Sequence, residues 1–346
     1  MRFIGLDISK RSIQVCILDS RGKVVKEFSV ANDDRTIYER LRRLRGPKSI
    51  CYEASCGYGH LYDRLAAVAK HVCVAHPGHL RLIFKSKRKN DRVDAKKLAT
   101  LLLLDQVPTV HVPSMDVRGW RRMIAFRNRL VAERTRLKNR LRALCRSHAI
   151  ALPANKRAWT KKGMRMLTEL TFDHPSATLE RDITIAELKH NNELIQRVEK
   201  ELNRIGNDHP AVVLLRSIPG VGPRTAEAVV AHIDRPQRFC KSKYIGAYFG
   251  LVPSQDQSAN VNRLGHITRE GPAVVRRLLT EAAWQGIRRS PRIRAYFERV
   301  RRNDPARRKI ALVATAHYLA RVMLAMLKRN EMWNEAGGPR SIAAAA

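Results

Sequence analysis

Apolar and polar positions change rhythm along this chain, and each rhythm predicts a different kind of element. Over residues 1–110, apolar or alternating runs at 2–7, 12–18, 23–30, 48–52 and 71–75 have the short period of strands. Asp19-Ser20-Arg21-Gly22 is a turn signal between the second and third runs, so the first three strands are expected as antiparallel neighbours. A helical segment near 34–45 leads to the strand that ends at Glu53, and 57–70 reads as a second helix. From 114 to 148 the pattern is one long helix, with Leu130, Leu137 and Leu144 seven apart and Leu141 on the same side. In 184–206, Leu188, Asn191, Ile195, Val198, Leu202 and Ile205 alternate by three and four. That is a coiled-coil pattern with one polar core position, Asn191, suited to a subunit contact or to an intramolecular helical hairpin. The stretch 150–180 between them is irregular and basic.

Residues 210–335 read as mostly helical, with helices over 272–288 and 306–328 and a polar loop at 254–266. The predicted organisation is therefore an α/β domain over 1–110, an Arg-rich helical coiled-coil region over 111–208 and a mainly α domain over 209–335. A flexible tail follows over 336–346, from about Gly337-Gly338-Pro339.

Charge narrows the function. The 346 residues carry 67 Lys and Arg against 31 Asp and Glu, a formal net charge of +36. Such a surplus calls for a polyanionic partner, with nucleic acid the default and a membrane surface the alternative. No long apolar span or lipidation motif is read from the sequence, and the N-terminal apolar run lacks a small-residue cleavage site. The six cysteines, Cys16, Cys51, Cys56, Cys73, Cys145 and Cys240, form no Cys-x-x-Cys pair. They are expected to be reduced, buried thiols of a cytoplasmic protein, with no zinc site.

Against this basic background four acids stand out. Asp7 follows Phe3-Ile4-Gly5-Leu6 at the end of the first strand, and Glu53 follows Ser49-Ile50-Cys51-Tyr52 at the end of another. Asp91 and Asp94 open the helical run Asp91–Ala99 and, three apart, share a face. Singly, each has a plain explanation: Asp7 as a turn cap, Glu53 as an arginine partner, Asp91 as a helix-dipole acid beside a capping Asn90. Together they have the spacing of a shared divalent-metal site, with carboxylates suited to Mg²⁺ or Mn²⁺, for metal-assisted phosphodiester cleavage. Lys85, Lys87, Arg88 and Lys89 beside them are candidate phosphate contacts or an ordinary solvated loop. Further on, Ile218-Pro219-Gly220-Val221-Gly222-Pro223-Arg224 matches a helix-hairpin-helix signature. Its Gly220, Gly222 and Arg224 are candidate backbone contacts, the alternative being a structural αα-turn.

Three antiparallel strands followed by alternating helices and strands is the order of a ribonuclease-H-like (RuvC-like) fold, which periodicity alone does not name. The motifs resemble a family at this point. Ile4-Gly5-Leu6-Asp7-Ile8-Ser9-Lys10, Tyr52-Glu53-Ala54-Ser55-Cys56-Gly57 and Lys89-Asn90-Asp91-Arg92-Val93-Asp94-Ala95 lie in the first domain. Ile218-Pro219-Gly220-Val221-Gly222, Tyr248-Phe249-Gly250-Leu251-Val252-Pro253, then Ser258 with Gly265-His266-Ile267-Thr268-Arg269-Glu270-Gly271, lie in the last. In this order the chain resembles, over nearly its whole length, the DEDD transposases of bacterial insertion sequences, known as bridge-RNA-guided recombinases.

The resemblance implies a serine nucleophile at Ser258, with Ser254 as a nearby competitor. The family has Gly after this serine, where the present chain has Ala259. It further implies a phosphoserine link to a DNA end, donor and target double-stranded DNA, and a non-coding guide RNA that reads both by pairing. It also implies dimers assembling into a tetramer in the bacterial cytoplasm, near the nucleoid. Arg263 and Arg269 count as further nucleic-acid contacts. The Arg-rich helix 118–146, with ten arginines, and the basic stretch 299–308 are expected to hold phosphates.

Three other readings compete. A junction resolvase would use water and the same acids. A sugar or acetate kinase would use Gly5-Leu6-Asp7-Ile8-Ser9 as a first phosphate loop, but no further glycine-rich loops follow. A degenerate transposase would only bind nucleic acid.

Overall fold

The alternation in the first third of the chain becomes a five-stranded mixed sheet. The computed structural model describes residues 1–55, 57–83, 91–258 and 261–336. The chain forms two units, Met1–Arg118 and Gly119–Ala346. In the first, β1 (Arg2–Ile8), β2 (Ser12–Leu18) and β3 (Val24–Ala31) form an antiparallel meander. After α1 (Asp34–Arg42), β4 (Lys48–Glu53) pairs parallel to β1, and after α2 (Tyr58–Ala66), β5 (His71–Ala75) pairs parallel to β4. Then come α3 (Pro77–Ile83) and α4 (Asp91–Leu103), and the strand order is β3-β2-β1-β4-β5. This topology is compatible with a ribonuclease-H-like fold.

The strand period of two sorts side chains between two layers. Ile4, Leu6, Ile13, Val15, Ile50 and Tyr52 pack with Ile37 and Leu41 of α1 and Leu61 and Leu65 of α2. On the opposite face Cys16 and Leu18 meet Ala95 and Ala99 of α4. The small residues matter: a Cβ on Gly5 would lie 2.5 Å from the Ala99 amide nitrogen and overlap the Ala95 carbonyl. The helix backbone thus rests directly on β1.

The second unit is mainly helical. It holds α5 (Met115–Ser147) from Gly119 onward, α6 (Lys161–Glu169), α7 (Pro175–Gly206), α8 (Pro210–Arg216), α9 (Pro223–Ile233) and α10 (Tyr244–Tyr248). The hairpin β6 (Pro253–Ser258) and β7 (Val261–Ile267) precedes α11 (Ala273–Arg289), α12 (Pro291–Arg301) and α13 (Arg308–Arg329). The heptad helices pack within the chain. Arg127 of α5 pairs with Glu199 of α7 at 2.5 Å, and Arg140 with Glu187 at 3.0 Å. Moving C-terminally on α5 moves N-terminally on α7, so the two are antiparallel. Leu130, Ile195, Val198 and Leu202 join the core formed by α8, α9, α11 and α13, while Leu137, Leu141, Ile185 and Leu188 form a separate cluster. Asn191 is buried between these two sets of α7 positions, and its Oδ1 has no hydrogen-bond partner among the described residues.

Several expectations need correction. The stretch 150–180 contains α6, capped by Thr160 accepting from Gly163 N at 3.2 Å, and the first residues of α7. The loop expected at 254–266 is the β6–β7 hairpin. A long apolar span does exist: Pro305–Arg329 is long and apolar enough to cross a membrane. Its Ala316, Leu319, Ala320, Met323 and Leu324 nevertheless lie in the core of the second unit, which makes α13 a core helix. Cys240 is exposed, and Cys73 is half-buried, whereas Cys16, Cys51 and Cys145 are buried. Cys56 and the tail from 337 lie outside the described residues.

Candidate active site

The sheet register brings two of the four acids to one end. Leu6 is level with Tyr52 in the parallel β1–β4 pair, so Asp7 and Glu53 follow side by side at the strand ends. Both belong to the strand positions of Gly5 and Cys51, the face covered by α4. Tyr52 is fully buried and donates its hydroxyl hydrogen bond to the Tyr58 carbonyl at 2.5 Å, which fixes the exit of β4 just before Glu53. Burial pushes the Tyr52 phenol above its ordinary range.

The helix brings the other two. Gly5 lies under Ala95 and Ala99, and Gly22, at the opposite end of the sheet from Asp7, approaches the Leu103 side chain. The N-terminus of α4 therefore points to the Asp7 end. Asp91 and Asp94 are half-buried, one turn apart, on the stripe that continues into Ala95 and Leu98. Backbone placement thus gathers all four acids at the C-terminal ends of the two central parallel strands. The side chains do not converge to the same degree. Among the described residues no three acids, histidines or cysteines stand close enough to hold one ion. Asp94 is engaged by Lys97 at 2.9 Å, and Arg92 leans toward Glu27 of β3 at 3.8 Å. Glu53 is exposed. The donor set is all carboxylate, which suits a hard divalent ion. The cover of α4 over Gly5 leaves no room for a side chain at that glycine. Lys85, Lys87, Arg88 and Lys89 lie outside the described residues.

In the second unit Ser258 ends β6, an exposed strand, level with Val261 across the hairpin. Its hydroxyl has no hydrogen-bond partner among the described residues, and Ala259 lies outside them. Ser254 sits at the root, with its hydroxyl 2.5 Å from where a Cβ on Gly265 would be. The root is clamped by the flanking motifs. Gly250 and Gly271 both have positive φ, +63° and +68°, and a Cβ on Gly250 would lie 2.5 Å from Glu270 N. Arg276 donates to the Phe249 and Gly271 carbonyls at 3.2 Å each, tying the two loops together. Arg263, level with Asp256, and Arg269 are exposed.

The turn between α8 and α9 distributes its expected contacts unevenly. Gly220 has φ +93°, and a Cβ there would lie 2.5 Å from Gly286 N, so this glycine serves packing against α11. Gly222 is exposed at the N-terminus of α9 with open space around it. Arg224, expected to face a phosphate, turns inward. It pairs with the buried Glu227 at 3.0 Å and donates to Asn203. Burial lowers the Arg224 pKa and raises that of Glu227 to about 7. This buried pair was missed by sequence reasoning, although the i, i+3 spacing of Arg224 and Glu227 was there to read.

The first unit thus has a mixed sheet with acids at the ends of its central parallel strands, and the second is helical with an exposed hairpin carrying Ser258. Comparison with known proteins identifies the family. Residues 4–149 match a family model described as a transposase of the DEDD IS110 type, and residues 212–298 match the transposase IS116/IS110/IS902 family. The chain is similar to the transposase for insertion sequence element IS1111A of Coxiella burnetii, 27% identical over 96% of this chain and 91% of the relative. It is also similar to a probable family 20 transposase of Pseudomonas aeruginosa, 26% identical over 94% and 96% of the two chains. The transposase for element IS1328 of Yersinia enterocolitica is 25% identical over 81% and 82%. The chain belongs to the IS110/IS116 transposase family, enzymes that cleave and rejoin DNA, and carries the family's DEDD domain in its N-terminal part. A DEDD domain implies use of a divalent metal.

Proposed function

We propose that this transposase is a site-specific DNA recombinase that excises and inserts an insertion sequence through a serine–DNA intermediate. The observation that carries the reading is the β1–β4 register with α4 laid on Gly5, which sets Asp7, Glu53, Asp91 and Asp94 at one end of the sheet. These four would hold Mg²⁺, or Mn²⁺ in its place. A bound divalent ion supplies charge that polarises the scissile phosphate and stabilises the attacking and leaving oxygens.

The Ser258 hydroxyl attacks phosphorus, forming a P–O bond to serine and breaking the P–O bond to the sugar. The serine proton leaves, and the departing sugar oxygen takes one up. The reverse step rejoins the phosphoryl group to a new DNA end, so no external energy source is needed. A serine hydroxyl is a weak nucleophile and needs activation. That activation is assigned to the acid site, within one chain or across subunits of a tetramer built from dimers.

Gly222, Arg263, Arg269 and the Lys85–Lys89 stretch are proposed to hold DNA backbone. A non-coding guide RNA is proposed to read donor and target sequence by pairing, in the bacterial cytoplasm by the nucleoid. The test is strand cleavage of DNA carrying the element's ends. Asp7→Asn should abolish divalent-dependent cleavage by at least about 100-fold while DNA binding persists. Cleavage that survives in Asp7→Asn defeats the assignment of the acids.

A further inference from the structure

The face of α5 near its C-terminus forms one wall of a groove in the second unit that the acids and Ser258 do not use. Two adjoining concavities of about 600 and 860 Å³ share Arg142, Ala154 and Asn155. Their walls carry Lys138, Arg142 and Arg146 from α5, and Lys156 and Arg157 from the segment before α6. The described lining residues include no Asp or Glu.

Some arginines of α5 have protein partners, while Arg122, Arg129 and Arg134, like the groove cations, have no carboxylate partner among the described residues. Arg127, Arg136 and Arg140 are paired with Glu199, Glu133 and Glu187, and Arg121 donates to the Ala231 and His232 carbonyls. The five groove cations have no carboxylate partner among the described residues. Two of them are held in place by an aromatic ring instead: Lys138 and Arg142 lie 5.0 and 5.1 Å from the centre of the Trp159 ring. Arg142 also donates to the Asn155 carbonyl at 2.7 Å, which ties the helix to the opposite wall. Burial, then Arg134 and Arg142, hold the Lys138 pKa below its ordinary value. Like charges gathered this way are costly without an anion.

Spacing says which anion. Lys138, Arg142 and Arg146 are four residues apart on one helix face, about 6 Å per step along the axis. That matches the separation of successive phosphates along one nucleic-acid strand. We infer that this groove is a binding site for the phosphate backbone of a single nucleic-acid strand, with Lys138, Arg142 and Arg146 tracking successive phosphates and Trp159 fixing the first two. The site stands apart from the strand-cleavage chemistry proposed above and does not rest on it.

The test measures fluorescence anisotropy of labelled single-stranded RNA, single-stranded DNA and duplex DNA of one sequence, titrated at several salt concentrations. The variant Lys138→Gln/Arg142→Gln/Arg146→Gln is compared with Arg40→Gln/Arg43→Gln/Arg45→Gln, which removes the same charge from exposed positions of the first unit. Losing three phosphate contacts should lower the salt-dependence slope for single strands by about 2. It should weaken single-strand binding by at least about tenfold at physiological salt, beyond the change in the control. Equal loss for RNA and DNA identifies a backbone site, and loss confined to RNA identifies a site that also reads the 2′-hydroxyl; either supports the inference. Equal effects of the two triple variants, or loss confined to duplex DNA, overturns it. Acylation footprinting of the wild-type protein gives an independent reading. Lys138 and Lys156 should be protected by a single-stranded oligonucleotide, and unchanged labelling overturns the inference.

Discussion

Gly5→Ala is the sharpest perturbation of the frame that places the acids. The added methyl would sit 2.5 Å from the Ala99 amide nitrogen and in overlap with the Ala95 carbonyl. Both obstacles are backbone atoms of α4, so no side chain can rotate away, and the helix must lift off β1. Overpacking of this kind costs about 1–3 kcal/mol, and displacement of a whole helix argues for the upper part, roughly 2–3 kcal/mol. All four tryptophans, Trp120, Trp159, Trp284 and Trp333, lie in the second unit, so tryptophan fluorescence is blind to this change. The assay is amide hydrogen exchange read on peptides from β1 and β4. Exchange through unfolding should accelerate by about 30- to 150-fold, since each 1.4 kcal/mol is a factor of ten. Peptides from α11 and α13 should be unchanged. Divalent-dependent cleavage should fall as well, because Asp91 and Asp94 move with the helix while Asp7 and Glu53 stay with the strands. Unchanged exchange in β1 and β4 would refute the close packing of α4 on Gly5.

Two other predictions concern the second unit. Burial raises the Glu227 carboxyl to about 7, with Arg224, Arg127 and Arg216 pulling the other way. Between its ordinary value of 4.5 and about 7, the folded state keeps a proton that the unfolded chain has lost. Stability from this group is therefore full at low pH and is lost as pH rises through 7. Urea melts followed by tryptophan fluorescence should show a lower midpoint at pH 8 than at pH 6, and Glu227→Gln should flatten that difference; an unaltered slope counts against the buried acid. Asn191→Leu removes a buried, unpaired amide oxygen and should raise the stability of the helical hairpin by about 1–2 kcal/mol in the same assay. A fall in stability would show that the amide has a partner, such as another subunit.

The parts of the fold that were legible are those buried as short apolar runs. β1, β2 and β4 are covered on both faces and so carry continuous buried runs, and the Asp19–Gly22 turn sets the meander, so strand ends and their acids could be read within a residue or two. The β6–β7 hairpin was not legible, because β6 is exposed along its whole length and carries no alternation. α12 was not read from the sequence, because its apolar stripe is two buried residues, Ile293 and Phe297, set among arginines. The four acids could be named from spacing, but not that Lys97 would engage Asp94. The helix-hairpin-helix motif suggests which residue types meet a phosphate, and says nothing of the buried Glu227 one turn along that engages Arg224. The Trp159 groove lay in a stretch that seemed irregular, although Arg157-Ala158-Trp159 set an aromatic among cations.

The central claim is that Ser258 becomes covalently joined to DNA. The most direct measurement incubates the protein with Mg²⁺ and labelled DNA carrying the element's ends, together with RNA transcribed from its flanks. The reaction is quenched in denaturant, and any protein–DNA adduct is digested and mapped by mass spectrometry. The account predicts an adduct on the peptide containing Ser258, and loss of both adduct and cleavage in Ser258→Ala. Cleavage that persists in Ser258→Ala without any adduct would contradict it and establish water as the nucleophile.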